Sequence, residues 1–88
     1  MEGFEWDPAK AKANLKKHGV SFTAAAWVFE DTHRVEWLDS REDYGEERFV
    51  TVGEVNAELL SVAYTIRGEL IRIISARRAM PAADSMRS

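Results

Sequence analysis

The sequence predicts an α+β fold: two N-terminal helices packed on one face of a mostly antiparallel sheet of four to five strands. Three observations predict it. A run of helix formers with its own start and stop signals lies between Asp7 and Gly19. Apolar residues then recur at helical spacing from Phe22 to Phe29. From Arg34 onward the period becomes two, and short turns separate the runs.

Phe4-Glu-Trp6 is short and aromatic and ends at Asp7-Pro8, so it reads as a brief edge strand. Asp7 is a good N-cap, and Pro8 suits the first helical position, where its missing N–H is no loss. Ala9 to Lys17 is rich in Ala, Lys and Leu, and Gly19 supplies the stop. Ser21 caps a second helix. Its core stripe is Phe22, Ala25, Ala26 and Phe29, widened by Trp27 and Val28, and Glu30-Asp31-Thr32 ends it.

In Arg34-Val-Glu-Trp-Leu38, Val35 and Trp37 point one way, Arg34 and Glu36 the other. Asp39 to Glu47 is acidic, contains Gly45 and reads as a loop. Arg48 to Gly53 alternates again, and Val55-Asn-Ala-Glu58 is a turn. Leu59 to Ile66 is a strand with Leu60, Val62, Tyr64 and Ile66 on one face. Arg67-Gly68-Glu69 is a tight hairpin connection into a last strand, Leu70 to Ala76. Short connections make an antiparallel meander the simplest sheet. Pro81 to Ser88 reads as a short helix or a frayed tail.

Eighty-eight residues make one domain, 1–88, because a chain this size supports a single compact core. Without cysteine there is no disulfide framework and no thiolate zinc site. No signal peptide and no apolar run near the roughly 20 residues of a membrane span are visible, so a cytoplasmic location without membrane contact is expected.

The net charge of −3 speaks against a nucleic-acid binder, but its distribution does not. Residues 8–29 carry four lysines and no acid; residues 30–58 carry ten acids against three arginines; residues 59–88 carry five arginines against two acids. Such asymmetry gives one small body a positive and a negative patch, or else it only solvates the surface. Lys16, Lys17 and His18 gather at one helix terminus, and Arg72, Arg77 and Arg78 on and just past an apolar strand. Cations concentrated at two places on an acidic chain point to an anion site.

There is no phosphate loop, no Gly-x-Ser-x-Gly and no His-Glu-x-x-His. His18 and His33 are isolated, and nothing fixes a metal geometry around them, so neither metal nor cofactor is expected. The remaining acid–base and cationic set is Lys17, His18, Glu47, Arg48, Arg67, Arg72 and Arg77. Each has a structural rival. Lys16, Lys17 and His18 serve the helix dipole. Arg72 pairs with an acid, Arg48 pairs with Glu46 or another acid across the sheet, and Glu47 is solvated loop. Trp6, Trp27, Trp37 and Phe49 read as core ahead of stacking platforms. By strict alternation Arg72 and Arg77 face opposite sides, so a bulge or the strand's end must intervene if both reach one anionic group.

Trp6-Asp-Pro-Ala-Lys10, Asn14, Lys17-His-Gly19, Phe22, Phe29, Gly45-Glu-Glu-Arg48, Gly53, Tyr64 and Arg72-Ile-Ile-Ser-Ala-Arg77 together resemble the BrnT family over about residues 4–79. BrnT proteins are the toxin halves of type II toxin–antitoxin pairs. The resemblance implies a RelE-like fold and a metal-independent endoribonuclease that cleaves RNA and inhibits translation. It also implies a BrnA-like ribbon-helix-helix antitoxin, contact with operator DNA only through that partner, and a homodimer or a heterotetramer with the antitoxin. Attack of a 2′-hydroxyl on its phosphate needs a base, an acid and cations for the transition state. Arg77 and Arg72 supply charge, with Lys17 and Arg48 beside them. His18 serves as acid or base, and Glu47 as base if buried. Lys16, Arg67 and Arg78 bind RNA. In one respect the sequence departs from the family, whose members commonly continue into a charged helix with Glu-Arg and an aromatic residue. Met80 to Ser88 stands there instead. The alternative is therefore a catalytically weakened or inactive protein that acts as a binding module for its antitoxin.

Overall fold

The computed structural model describes residues 2–40 and 45–79. The chain runs β1 (Phe4–Glu5), α1 (Pro8–His18), α2 (Phe22–Trp27), a 3₁₀ turn (Val28–Glu30), β2 (Val35–Asp39), β3 (Arg48–Val55), β4 (Glu58–Arg67) and β5 (Leu70–Arg78). The spatial order of the sheet is β1-β5-β4-β3-β2. The proposed tail at 81–88 and the centre of the acidic loop lie outside the described residues.

Local chemistry sets the helices. The Asp7 carboxylate accepts from the Ala9 N–H at 2.9 Å, and the Ser21 hydroxyl oxygen accepts from the Ala24 N–H at 3.0 Å. Gly19 closes α1 at φ +71°, a left-handed conformation that a side chain resists.

The sheet is mixed, which corrects the antiparallel meander. β2 to β5 do form one, but β1 pairs parallel with β5 through Phe4↔Ile71 and Glu5↔Arg72. A four-strand meander returns β5 antiparallel to β2, and the helical crossover leaves β1 running in the same sense as β5. Only this two-residue pair breaks the pattern.

The core lies between the helices and one sheet face. Phe22, Ala25, Ala26 and Val28 pack on Leu60, Val62, Ile73 and Ala76, all at 4% exposure or less. Gly53 admits the 3₁₀ turn onto β3, since a Cβ there would lie 2.9 Å from Val28 Cγ1. Three core expectations fail. Ile66, at the end of its stripe, is 57% exposed where no helix covers the sheet. Trp27 lies on the outer side of its helix at 51%, and Trp37 on the outermost strand at 50%. Asp39, expected in a loop, ends β2 and is buried.

Between Ile71–Arg72 and the strand's end, β5 has no strand on its outer side. Asn14 of α1 fills that role. Its amide donates to the Ala76 carbonyl at 2.7 Å and the Val20 carbonyl at 2.9 Å, and its Oδ1 accepts from the Ala76 N–H at 3.0 Å. One side chain thus pairs both polar groups of a backbone unit that would otherwise be buried unpaired.

Candidate functional site

The face opposite the helices carries no covering element among the described residues. The strand register arranges its side chains in rows. One row is Val35, Val52, Ser61 and Arg77; the next is Trp37, Val50, Ala63 and Ser75. Beyond it stand Asp39 opposite Arg48, and Thr65 opposite Arg72 opposite Glu5.

A β-bulge sets which arginines share this face. Ala63 pairs with Ser75 and Tyr64 with Ile73, so Ile74 is the extra residue on β5. Alternation restarts after it. Arg72 and Arg77, opposed by strict alternation, therefore both point to the open face. Arg78 turns to the helix side, where its guanidinium donates to the His18 carbonyl at 3.1 Å and pairs with Glu58 at 2.8 Å.

A groove of about 630 Å³ runs along the open face. Trp37 and Asp39 form one wall, Arg77 the other, and Val50, Ser61, Ala63 and Ser75 the floor. The floor is shallow because its residues are small, while the walls carry long side chains. Arg77 lines the groove and makes no ion pair or hydrogen bond with any described residue.

The other sequence-predicted residues are dispersed. Arg72 reaches back to Glu5 at 3.1 Å. Arg48 and Arg67 both approach Glu46, at 3.7 and 3.6 Å. Glu47 is exposed, so the burial that a base role called for is missing, and its backbone carbonyl accepts from the Thr65 hydroxyl at 2.5 Å. Lys16, Lys17 and His18 occupy the last turn of α1, in the helix layer. The structure thus brings Arg72 and Arg77 to one face and leaves the α1 cations on the other side of the sheet.

Sequence reasoning missed Asp39, the carboxylate that lines the groove with Arg77. Its position two residues after Trp37 on a strand of period two was the available signal, masked by the acidic run that follows.

A second polar cluster lies on the helix side. Tyr64 donates to Glu36 at 2.7 Å, Arg34 pairs with the same carboxylate, and the Arg34 guanidinium lies 4.9 Å from the centre of the Phe29 ring. Burial, then the bond to Glu36, pushes the Tyr64 phenol up to about 12. The bond from Arg34, then that from Tyr64, holds Glu36 below the usual carboxylate range.

Among the described residues, no three His, Asp or Glu side chains gather as metal ligands, and no helix is long and apolar enough to cross a membrane. A family model, described as the ribonuclease toxin BrnT of type II toxin–antitoxin systems, matches residues 6–82. No curated protein compared with the chain matches it.

Proposed function

The chain belongs to the BrnT ribonuclease toxins of type II toxin–antitoxin systems, and from that membership we propose that it cleaves RNA in the groove of the open sheet face without a metal. An antitoxin partner follows from the family. That it is BrnA-like with a ribbon-helix-helix domain, and that cleavage lowers translation in the cytoplasm, belong to the same proposal. One observation carries the site: the bulge at Ile74 aims Arg77, with no competing partner among the described residues, into a groove that holds a carboxylate.

In this reading Asp39 takes the proton of a 2′-hydroxyl. The freed O2′ attacks the adjacent phosphorus, the P–O5′ bond breaks, O5′ takes a proton from water, and the hydroxide so formed takes the proton back from Asp39, restoring the carboxylate. The products are a 2′,3′-cyclic phosphate and a 5′-hydroxyl. Arg77 stabilises the extra negative charge on the phosphate oxygens as they become equatorial, where a planar guanidinium fork fits two of them. Arg72, anchored to Glu5, contributes field from two rows away.

RNA incubated with the protein and EDTA should be cut, leaving cyclic phosphate or 3′-phosphate ends. Arg77→Ala should lower the rate at least tenfold with an unchanged melting temperature, since one transition-state charge contact contributes about 2.7–4 kcal/mol. Loss of cleavage on chelation sinks the mechanism, and an unchanged rate in Arg77→Ala sinks the site. The rival reading, a weakened toxin that mainly binds its antitoxin, draws on the pairing of Arg48, Arg67, Arg72 and Arg78 with carboxylates, which leaves few cations for RNA. No cleavage at any protein concentration would favour it.

A further inference from the structure

We propose that the groove seats a single unpaired nucleotide, its base stacked on Trp37 and its phosphate held by Arg77. The inference rests on the reading of the groove as the RNA site and adds what that site recognises. Trp37 is half exposed on the outermost strand, although a buried indole contributes far more to stability than an exposed one. Its row continues through Val50 and Ala63 to Ser75. Three strand spacings of about 4.8 Å place the two ends of that row roughly 14 Å apart. Among the described residues no large side chain of that row stands between its ends, and Arg77 lies at the Ser75 end in the adjacent row, so the indole and the guanidinium line opposite sides of the same groove. The volume, about 630 Å³, lies within the range of small-molecule sites.

The lining matches a nucleotide part by part. The indole offers a flat apolar face, Ser61 and Ser75 offer hydroxyls on the floor, and Arg77 offers a charged fork. A base in a duplex has both faces covered by its neighbours, so only an unpaired base presents one to Trp37. A protein strand laid on the apolar edge made by Val35, Trp37 and Leu38 would cover the indole but leave the guanidinium unmatched. The lining therefore favours nucleic acid over a partner protein.

Fluorescence anisotropy of the full chain with a mixed pool of short, labelled 2′-O-methyl RNAs reads binding without cleavage, because the nucleophile is blocked. Trp37→Leu keeps apolar bulk without the aromatic face and should bind single strands about tenfold more weakly. Trp37→Phe should stay near wild type. Both variants should bind a duplex pool as the wild type does. Equal single-strand binding by Trp37→Leu and wild type overturns the inference. So does an equal loss by Trp37→Phe and Trp37→Leu, which would show that stacking is not the contact. Intact RNA binding with lost antitoxin binding in Trp37→Leu overturns it too and assigns the indole to the partner. If Arg77→Ala loses cleavage while Trp37→Leu loses nothing, the ribonuclease reading stands and only the nucleotide seat falls. A wild-type chain that binds no RNA overturns both.

Discussion

At the scale of single residues, Asn14 is the side chain on which the groove's far wall most depends. It touches nothing in the groove, yet it pairs both backbone groups of Ala76, the residue before Arg77. Asn14→Ala leaves those groups and the Val20 carbonyl buried without partners. An unpaired buried polar group costs about 1–3 kcal/mol, so the variant should lose at least about 2 kcal/mol in a urea titration. Asn14→Asp should fare no better, because a carboxylate faces two carbonyls where an amide donated. A loss below about 0.5 kcal/mol for Asn14→Ala would mean that water replaces the amide. Composition and spacing mark Asn14 as no more than a polar residue in a helix of Ala, Lys and Leu, although the family resemblance includes it. Its role depends on a strand 62 positions away and could not be read from spacing.

At the scale of elements, what is legible divides by the range of the cause. Asp7, Pro8, Gly19 and Ser21 announce the helices because capping is a local act. The strands from Val35 to Arg78 follow from their period. The parallel β1–β5 pair does not, since two residues carry no periodicity and their partner lies at the other end of the chain. Nor does the position of the bulge, because one extra residue among apolar neighbours leaves no mark in the pattern of either strand. The outermost strand β2 is tied in by more than its ladder to β3, because Glu36 accepts from Tyr64 of β4. That bond predicts an alkaline limb of stability. A tyrosine in the unfolded chain loses its proton near pH 10, whereas folded Tyr64 keeps it to about 12. The unfolded state therefore binds fewer protons between the two, and stability falls as pH rises through that window. Below pH 10 the contribution is complete. Denaturation midpoints taken from pH 9 to 12 should slope downward in the wild type and less steeply in Tyr64→Phe. Parallel curves would show that the phenol ionises alike in both states. Glu36 acts at the other limb: its pKa is lowered, so its contribution is present at neutral pH and fades as pH falls through the lowered value.

At the scale of the whole molecule, one sheet divides two kinds of surface. The helix side holds the core and the lysines of α1; the open side holds a groove between an indole and a guanidinium. Sequence alone placed Arg72 and Arg77 as functional candidates, on opposite faces unless a bulge or the strand's end intervened, and it assigned Trp37 to the core. The bulge that the sequence reading required for both to share a face lies at Ile74. Trp37 is exposed for a different reason: its strand is outermost and nothing among the described residues covers that face. The extra residue on β5 also changes what the reading frame tolerates. Removing the Ile74 codon should leave Ile73 inward, Ser75 outward and Arg77 still outward, now in an uninterrupted strand. Removing the Ala63 codon from unbulged β4 instead turns half of that strand's core residues to water. In a library of single-codon deletions, loss of Ile74 should keep most activity where loss of Ala63 abolishes it, and an added codon between Ile73 and Ala76 should be as harmful as the latter. Equal damage from both deletions would assign the bulge a role of its own. For this strand a shorter gene is the gentler change, because the protein already carries the insertion.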